Sequence, residues 1–237
     1  MDWLERTELL LGKAQLEELK YKKVLVVGLG GVGSYAAEQI ARAGIGKMTI
    51  VDGDTVNNSN RNRQLPALYS TLGQLKAEVV KMRLLDINPQ LQLTTIAQFI
   101  DENAFSDLLA EGFDYVLDAI DTLSPKVALI CEALERDIPI ISSMGAGGKF
   151  DPSKIAFTDI SNTKYCNLAR MVRKRLYQHG IRKGVPVIYS SEIVPREYIV
   201  KTEGERNKKT TVGTISFMPA LFGCWAASKV IRDLTGR

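Results

Sequence analysis

The run Lys23-Val24-Leu25-Val26-Val27 passes directly into Gly28-Leu29-Gly30-Gly31-Val32-Gly33, after which Ala36, Ala37, Ile40 and Ala41 recur at helical spacing. A short apolar run closed by glycines and followed by a 3.6-residue period reads as strand, tight turn and helix. Glycines at these offsets are common in isolation and can serve a purely structural turn. Between a strand and a helix they form a phosphate seat, because a ligand can approach backbone N–H groups at the positive end of the helix.

The same rhythm continues. Strands are predicted at 48–51, 91–97, 115–117 and 138–142, alternating with helices near 74–87, 103–109 and 125–136. This alternation predicts an α/β fold: a Rossmann-like, doubly wound and mostly parallel sheet with helices on both faces. Residues 1–150 form its nucleotide half. Beyond Gly145-Ala146-Gly147-Gly148 the pattern changes to strands near 155–158 and 187–194, a basic helix between them and a final helix from Met218. Residues 151–237 are expected to be a C-terminal extension facing the substrate, within one domain spanning 1–237. The charged stretch 195–211 has no period and reads as a loop.

With 237 residues, 45% of them hydrophobic, the chain can bury one substantial core. Cys131, Cys166 and Cys224 form no CxxC pair, which argues against both a disulfide framework and a paired zinc site. Cys131 and Cys224 fall among apolar helical neighbours and read as core, while Cys166 reads as the more exposed. The first six residues do not resemble a secretory signal, and the apolar stretch 218–228 is interrupted by Pro219 and Gly223. A cytoplasmic protein without a membrane span is therefore expected.

Net charge is +4, yet residues 161–185 hold Lys164, Arg170, Arg173, Lys174, Arg175, Arg182 and Lys183 with no acid. A helix predicted over 164–179 places Tyr165, Leu168, Ala169, Val172 and Leu176 on one face, with Arg170, Arg173 and Lys174 on the other. Such a run serves equally as a solvated face or as a contact for a polyanion. In the second case Arg170, Arg173, Lys174 and Arg175 are the nucleic-acid candidates.

Asp52 ends the second strand 19 residues after Gly33, where an acid accepts hydrogen bonds from the ribose of either NAD or ATP. Hydride chemistry is poorly supported, because the one histidine, His179, lies in the basic segment and no tyrosine has a lysine four residues later. Asn60, Arg61, Arg63 and Lys76 instead surround a phosphate chain longer than a pyrophosphate. Taken singly, Arg63 and Lys76 read as well as solvated charges. Asp121 follows a strand to the carboxyl edge of the sheet, where it can hold Mg²⁺ or cap the helix that begins near Pro125.

Residues 28–34, Asp52 with Asn60 and Arg63, Gly73-Gln74-Leu75-Lys76 and Asp121 together resemble the adenylation motifs of the E1-like superfamily. That superfamily includes ubiquitin-activating enzymes and the molybdopterin and thiamine adenylyltransferases. Arg6-Thr7-Glu8-Leu9, Ala119-Ile120-Asp121, residues 145–149 and Ile155–Asp159 are similar to the branch that cyclises threonylcarbamoyladenosine in tRNA. The resemblance implies ATP and Mg²⁺ as cofactors, with the phosphates at Gly30, Gly31 and Gly33 and the ribose at Asp52. It further implies that Asn60, Arg63 and Lys76 hold the phosphates, that Asp121 binds the metal, and that Arg63, Lys76 and Asp121 carry the chemistry. Arg6 matches an arginine that enters the neighbouring subunit's site, implying a homodimer. The implied reaction is ATP-dependent dehydration of threonylcarbamoyladenosine in tRNA. The alternative is adenylation of the C-terminal glycine of a ubiquitin-like sulfur carrier, although the paired CxxC ligands common in such relatives are missing. A sulfur-transfer protein stays open as a further partner.

Overall fold

The computed structural model of the protein describes residues 3–201 and 210–237. Strands β1 (Lys23–Val27), β2 (Lys47–Val51), β3 (Gln92–Ile96), β4 (Tyr115–Asp118) and β5 (Ile140–Ser143) pair in parallel. Strand β6 (Ile155–Asp159) runs antiparallel to β7 (Pro186–Ser190), which itself runs parallel to β5. The seven-stranded order is β3-β2-β1-β4-β5-β7-β6. Residues beyond 151 thus add two strands to the sheet that the first half begins.

Along β1, successive side chains leave the sheet on opposite sides. Val24 and Val26 enter one buried cluster, with helices α3 (Gly33–Arg42), α4 (Lys76–Ile87) and α8 (Phe217–Thr235) supplying Ile40, Val80 and Phe222. Leu25 and Val27 enter a second, with α5 (Phe105–Ala110), α6 (Leu123–Glu135) and α7 (Asn167–Gln178) supplying Leu109, Ile130 and Val172. Each such fully buried aliphatic side chain contributes about 1.5–3 kcal/mol of burial energy. Helices therefore cover both faces, as the alternating pattern predicts.

Five local features depart from the sequence reading. Helices α1 (Glu5–Leu11) and α2 (Lys13–Leu19), which the periodicity did not single out, are seven residues each and divided by Gly12, whose φ of 90° favours glycine. Helix α7 begins at Asn167, so Tyr165 is not on its apolar face: with φ 59° it stands outside the helix and exposed. Cys166 is buried, its sulfur accepting the Ala169 N–H as the N-cap of α7, whereas Cys131 and Cys224 are only half-buried, the reverse of the expectation. The stretch read as a loop over 195–211 carries a single 3-10 turn at Arg196–Tyr198 and an antiparallel pair, β8 (Ile199–Lys201) with β9 (Thr210–Val212). Its centre, 202–209, lies outside the described residues, and β7 stops at Ser190, short of the predicted 194.

Helices α1 and α2 sit at the amino edge of the sheet. The Gly46 N–H donates to Leu19 O, and a Cβ built on Gly44 would lie 3.1 Å from Leu4 Cδ1. Helix α8 carries Pro219 near Gly31 in its first turn and leads, past its Gly236 cap, to Arg237, whose guanidinium donates to Leu10 O and Leu11 O. Among the described residues no helix is long and apolar enough to cross a membrane.

Candidate active site

Strand β1 lies between β2 and β4, so the connections leave it in opposite directions and open a crevice beyond its carboxyl end, the usual ligand site of such sheets. The glycine turn occupies this crevice. A Cβ on Gly28 (φ 90°) would lie 2.7 Å from Ala119 O, and one on Gly33 would meet Gly28 O at 1.8 Å. These two glycines are required by backbone packing alone. Gly30 differs: a Cβ there would find only the Gln64 amide, 3.7 Å away. The N–H groups of Gly30 and Gly31 have no acceptor among the described residues.

Asp52 closes the turn from the end of β2. Its Oδ2 accepts the Leu29 N–H at 2.6 Å and its Oδ1 the Asp54 N–H at 2.8 Å. Burial raises its carboxyl above the ordinary aspartate value, while the nearby Lys76 charge and the two amide hydrogen bonds pull the other way. Each carboxylate oxygen keeps a second lone pair, so a ribose hydroxyl can still be accepted.

Lys76 is 5% exposed although it is the first residue of α4, where the helix dipole disfavours a cation. It is held by Asp54 Oδ2 at 3.0 Å, a partner the sequence reading did not single out. Asp54 is itself 53% exposed, so solvent screens part of this pair. Asn60 is buried, with Oδ1 accepting the Asn57 N–H at 3.0 Å. Arg63 donates from one terminal nitrogen to Ser59 O and Asn62 Oδ1, both at 2.8 Å. Its backbone lies over the turn, because a Cβ on Gly31 would sit 3.4 Å from Arg63 O. Asn62 in turn donates to Thr214 O, and Gly148 N–H donates to Gly213 O, which joins the phosphate loop, residues 145–148 and the root of the β8–β9 pair into one wall.

The crevice suits a nucleotide. The Gly30 and Gly31 amides have no acceptor among the described residues, the Arg63 backbone lies against Gly31, and the Lys76 charge is near enough to act on Asp52. Gln64, whose Nε2 would lie 3.7 Å from a Cβ on Gly30, has its Oε1 buried with no hydrogen-bond partner, a polar atom that awaits a donor. Sequence reading missed Gln64 because a glutamine carries no pattern of its own.

Asp121 lies three residues beyond β4, exposed at the carboxyl edge, and the N-cap of α6 is Thr122. Among the described residues no three His, Cys, Asp or Glu side chains cluster as a metal site. Asp121 is the crevice carboxylate that could hold a Mg²⁺. Behind Asp121 lies an ion pair that sequence reading also missed. Asp118 and Lys126 are both fully buried, with Nζ 2.6 Å from Oδ2, and Lys126 donates further to Ser143 O at 2.9 Å. The other Asp118 oxygen accepts the Ile120 N–H at 3.0 Å, fixing the turn that presents Asp121.

The sequence pattern of the ThiF family matches residues 4–237. This chain belongs to the ThiF family. Among relatives, the tRNA threonylcarbamoyladenosine dehydratase of Bacillus subtilis is 44% identical over 236 residues, covering 97% of this chain and 93% of the relative. The Escherichia coli tRNA N6-threonylcarbamoyladenosine dehydratase, TcdA, has been solved in complex with ATP and with AMP. The ATP complex superposes with TM-score 0.88 at 34% identity, covering 98% of this chain and 93% of that one. The AMP complex does so with TM-score 0.88 at 35% identity and the same coverage. The seven-stranded α/β fold is shared with these ATP- and AMP-bound structures.

The glycine turn, Asp52, Asn60, Arg63, Lys76 and Asp121 of this ThiF-family chain all gather at the carboxyl edge of β1, β2 and β4. Arg6 does not. It is exposed on α1, at the amino edge. The basic residues lie on α7, in the opposite helical layer from α3 and α4. Arg170, Lys174 and Arg175 are exposed. Arg173 is partly turned inward, with one terminal nitrogen donating to Ile160 O, Thr163 O and Thr163 Oγ1, the last at 2.6 Å, so it contributes charge from a fixed position. A cavity of about 680 Å³ bordered by Lys23, Lys47, Gln92 and Asp114 is at the amino edge and belongs to a different part of the molecule.

Proposed function

We infer that this protein uses ATP to activate the threonine carboxylate of N6-threonylcarbamoyladenosine in tRNA and closes the side chain to its cyclic form with net loss of water. The observation that carries this reading is the glycine-turn crevice, with Asp52 and Lys76 at its edge, within a chain that matches a tRNA threonylcarbamoyladenosine dehydratase over nearly its whole length. The Gly30 and Gly31 amides and the Arg63 and Lys76 cations hold the triphosphate, Asp52 accepts from the ribose, and Asn60 stiffens the loop that carries Arg63. The substrate carboxylate attacks the α-phosphorus and pyrophosphate leaves. The carbamoyl group then attacks the activated carbonyl carbon and loses a proton, and AMP leaves with the carboxylate oxygen. Both steps build negative charge on phosphate, which the fixed cations and amides stabilise. Asp121 would hold Mg²⁺, which would supply further neutralisation of charge on those oxygens. Because the nucleophile belongs to the substrate, the half-buried Cys131 and Cys224 and the buried Cys166 need no catalytic role.

A tRNA substrate gives the exposed Arg170, Lys174 and Arg175 a polyanion to meet and implies a cytoplasmic enzyme. Purified protein incubated with ATP, Mg²⁺ and tRNA bearing threonylcarbamoyladenosine should remove one water from that nucleoside, read by mass spectrometry after mild digestion. Asp121→Ala should abolish the change. An unaltered nucleoside, with pyrophosphate exchange appearing on addition of a small sulfur-carrier protein, would overturn the reading.

The place of Arg6, with Leu9 and Leu10 exposed beside it on α1, supports a homodimer in which each arginine completes the partner's phosphate site. Arg6→Ala and Lys76→Met should each be nearly inactive. Mixed and allowed to exchange subunits, they should recover about a quarter of the active sites, because a mixed two-fold dimer regains one intact site. If Arg6 served its own subunit, mixing would restore nothing.

A further inference from the structure

Between the end of β6 and the start of α7 lies a cavity of about 270 Å³, bordered by Thr163, Lys164, Tyr165, Cys166, Arg170 and Arg173. Tyr165 forms its outer wall and is 64% exposed, although its backbone is in the left-handed region with φ 59°. A bulky side chain reaches that region at a cost and stays there only where the flanking chain is fixed. Both flanks are fixed. Thr163 is buried, its hydroxyl donating to Ile160 O and its carbonyl accepting from Arg173. Cys166 is buried and caps α7. The result is an aromatic ring that packs into neither core, standing beside Lys164 and Arg170, with Arg170 braced on Asn167 Oδ1 at 2.8 Å.

The cavity adjoins the catalytic edge of the sheet. Residues 144 and 145 follow β5, and a Cβ on Gly145 would lie 3.7 Å from Cys166 Sγ. An RNA strand with its reacting nucleoside at the crevice would therefore run its neighbouring residues past Tyr165.

The geometry points to Tyr165 as a stacking platform for an unpaired nucleobase of the RNA substrate, with Lys164 and Arg170 receiving the adjoining phosphates; this rests on the tRNA reading above. An exposed phenol ring offers a π-face, which only an unstacked base can cover, so the preferred ligand is a single-stranded loop and not a duplex. The cations around it supply sequence-independent attraction to the backbone.

The test measures binding of the full-length protein to a tRNA transcript and to a fully paired RNA of equal length by fluorescence anisotropy. Tyr165→Ala and Tyr165→Gly should each weaken tRNA binding about tenfold, the scale of one lost base stack, and Tyr165→Phe should stay within about twofold of wild type. Duplex binding should be unchanged in all three. Glycine accepts φ 59° without strain, so Tyr165→Gly should unfold no earlier than wild type while still losing RNA. Wild-type tRNA affinity in both the alanine and glycine variants, or an equal loss on duplex RNA, would overturn the stacking role while leaving the tRNA reading intact. A wild-type protein that binds no tRNA would overturn both.

Discussion

Replacing Lys76 by methionine should lower kcat/KM for tRNA-dependent AMP release by about two to three orders of magnitude, the usual loss when one fixed donor to a charge-developing oxygen is removed. A buried ammonium at the first turn of a helix opposes the helix dipole, so its placement has to be compensated by something other than fold stability. Asp54 supplies part of that compensation at 3.0 Å, but from a half-exposed position. Two variants separate the roles. If Lys76 served only to pair with Asp54, then Asp54→Asn would be as damaging as Lys76→Met. If Lys76 grips phosphate, Asp54→Asn should keep activity within about tenfold of wild type, since the half-exposed Asp54 carboxylate is partly screened by solvent and the Lys76 ammonium keeps its phosphate partner. Thermal unfolding of each variant would show whether a loss of rate reflects a loss of fold, and near-normal rates in Lys76→Met would sink the assignment.

The second large effect is on stability. Lys126→Met should cost about 3–5 kcal/mol, because it leaves Asp118 charged, fully buried and without its cation. For a chain of this size that corresponds to a fall in Tm of roughly 6–20 °C. The double variant Lys126→Met with Asp118→Asn should recover much of the loss, since no buried charge is then unmatched and Ser142 still reaches the residue at 118. An unfolding free energy for Lys126→Met within about 1 kcal/mol of wild type, from denaturant titration, would contradict the pair's role. The double variant should still be slower than wild type, because the Ile120 N–H that holds the turn before Asp121 bonds to the carboxylate it alters.

Much of the fold was legible in the chain because a doubly wound sheet repeats one signal. Buried parallel strands such as Lys23–Val27 and Tyr115–Asp118 are continuous apolar runs, and α3 and α4 follow with clear periods. The crevice residues were legible for a related reason: Gly28, Gly33, Asp52 and Asp121 sit at strand ends, where position in the pattern implies position in space. Other features left no such trace. Gln64 and Asp54 act through side-chain contacts fixed only by the folded loop 52–64. Asp118 and Lys126 look like ordinary charges, and only the closing of β4 onto β5 makes them a buried pair. Tyr165 fitted a helical period that the chain in fact breaks one residue later, at its capping Cys166. Arg6 carries a signal of family and none of distance, since α1 lies at the far edge from the crevice.

The alternation along β1 also governs which length changes this lineage tolerates. One residue added to or removed from Lys23–Val27 would exchange the two sets of side chains between separate cores and displace the glycine turn together with Asp52's hold on Leu29. Insertions and deletions are thus excluded from the centre of the sheet and channelled into the outer connections, so evolution can resize the peripheral loops while the glycine turn at the head of β1 keeps a fixed count of residues.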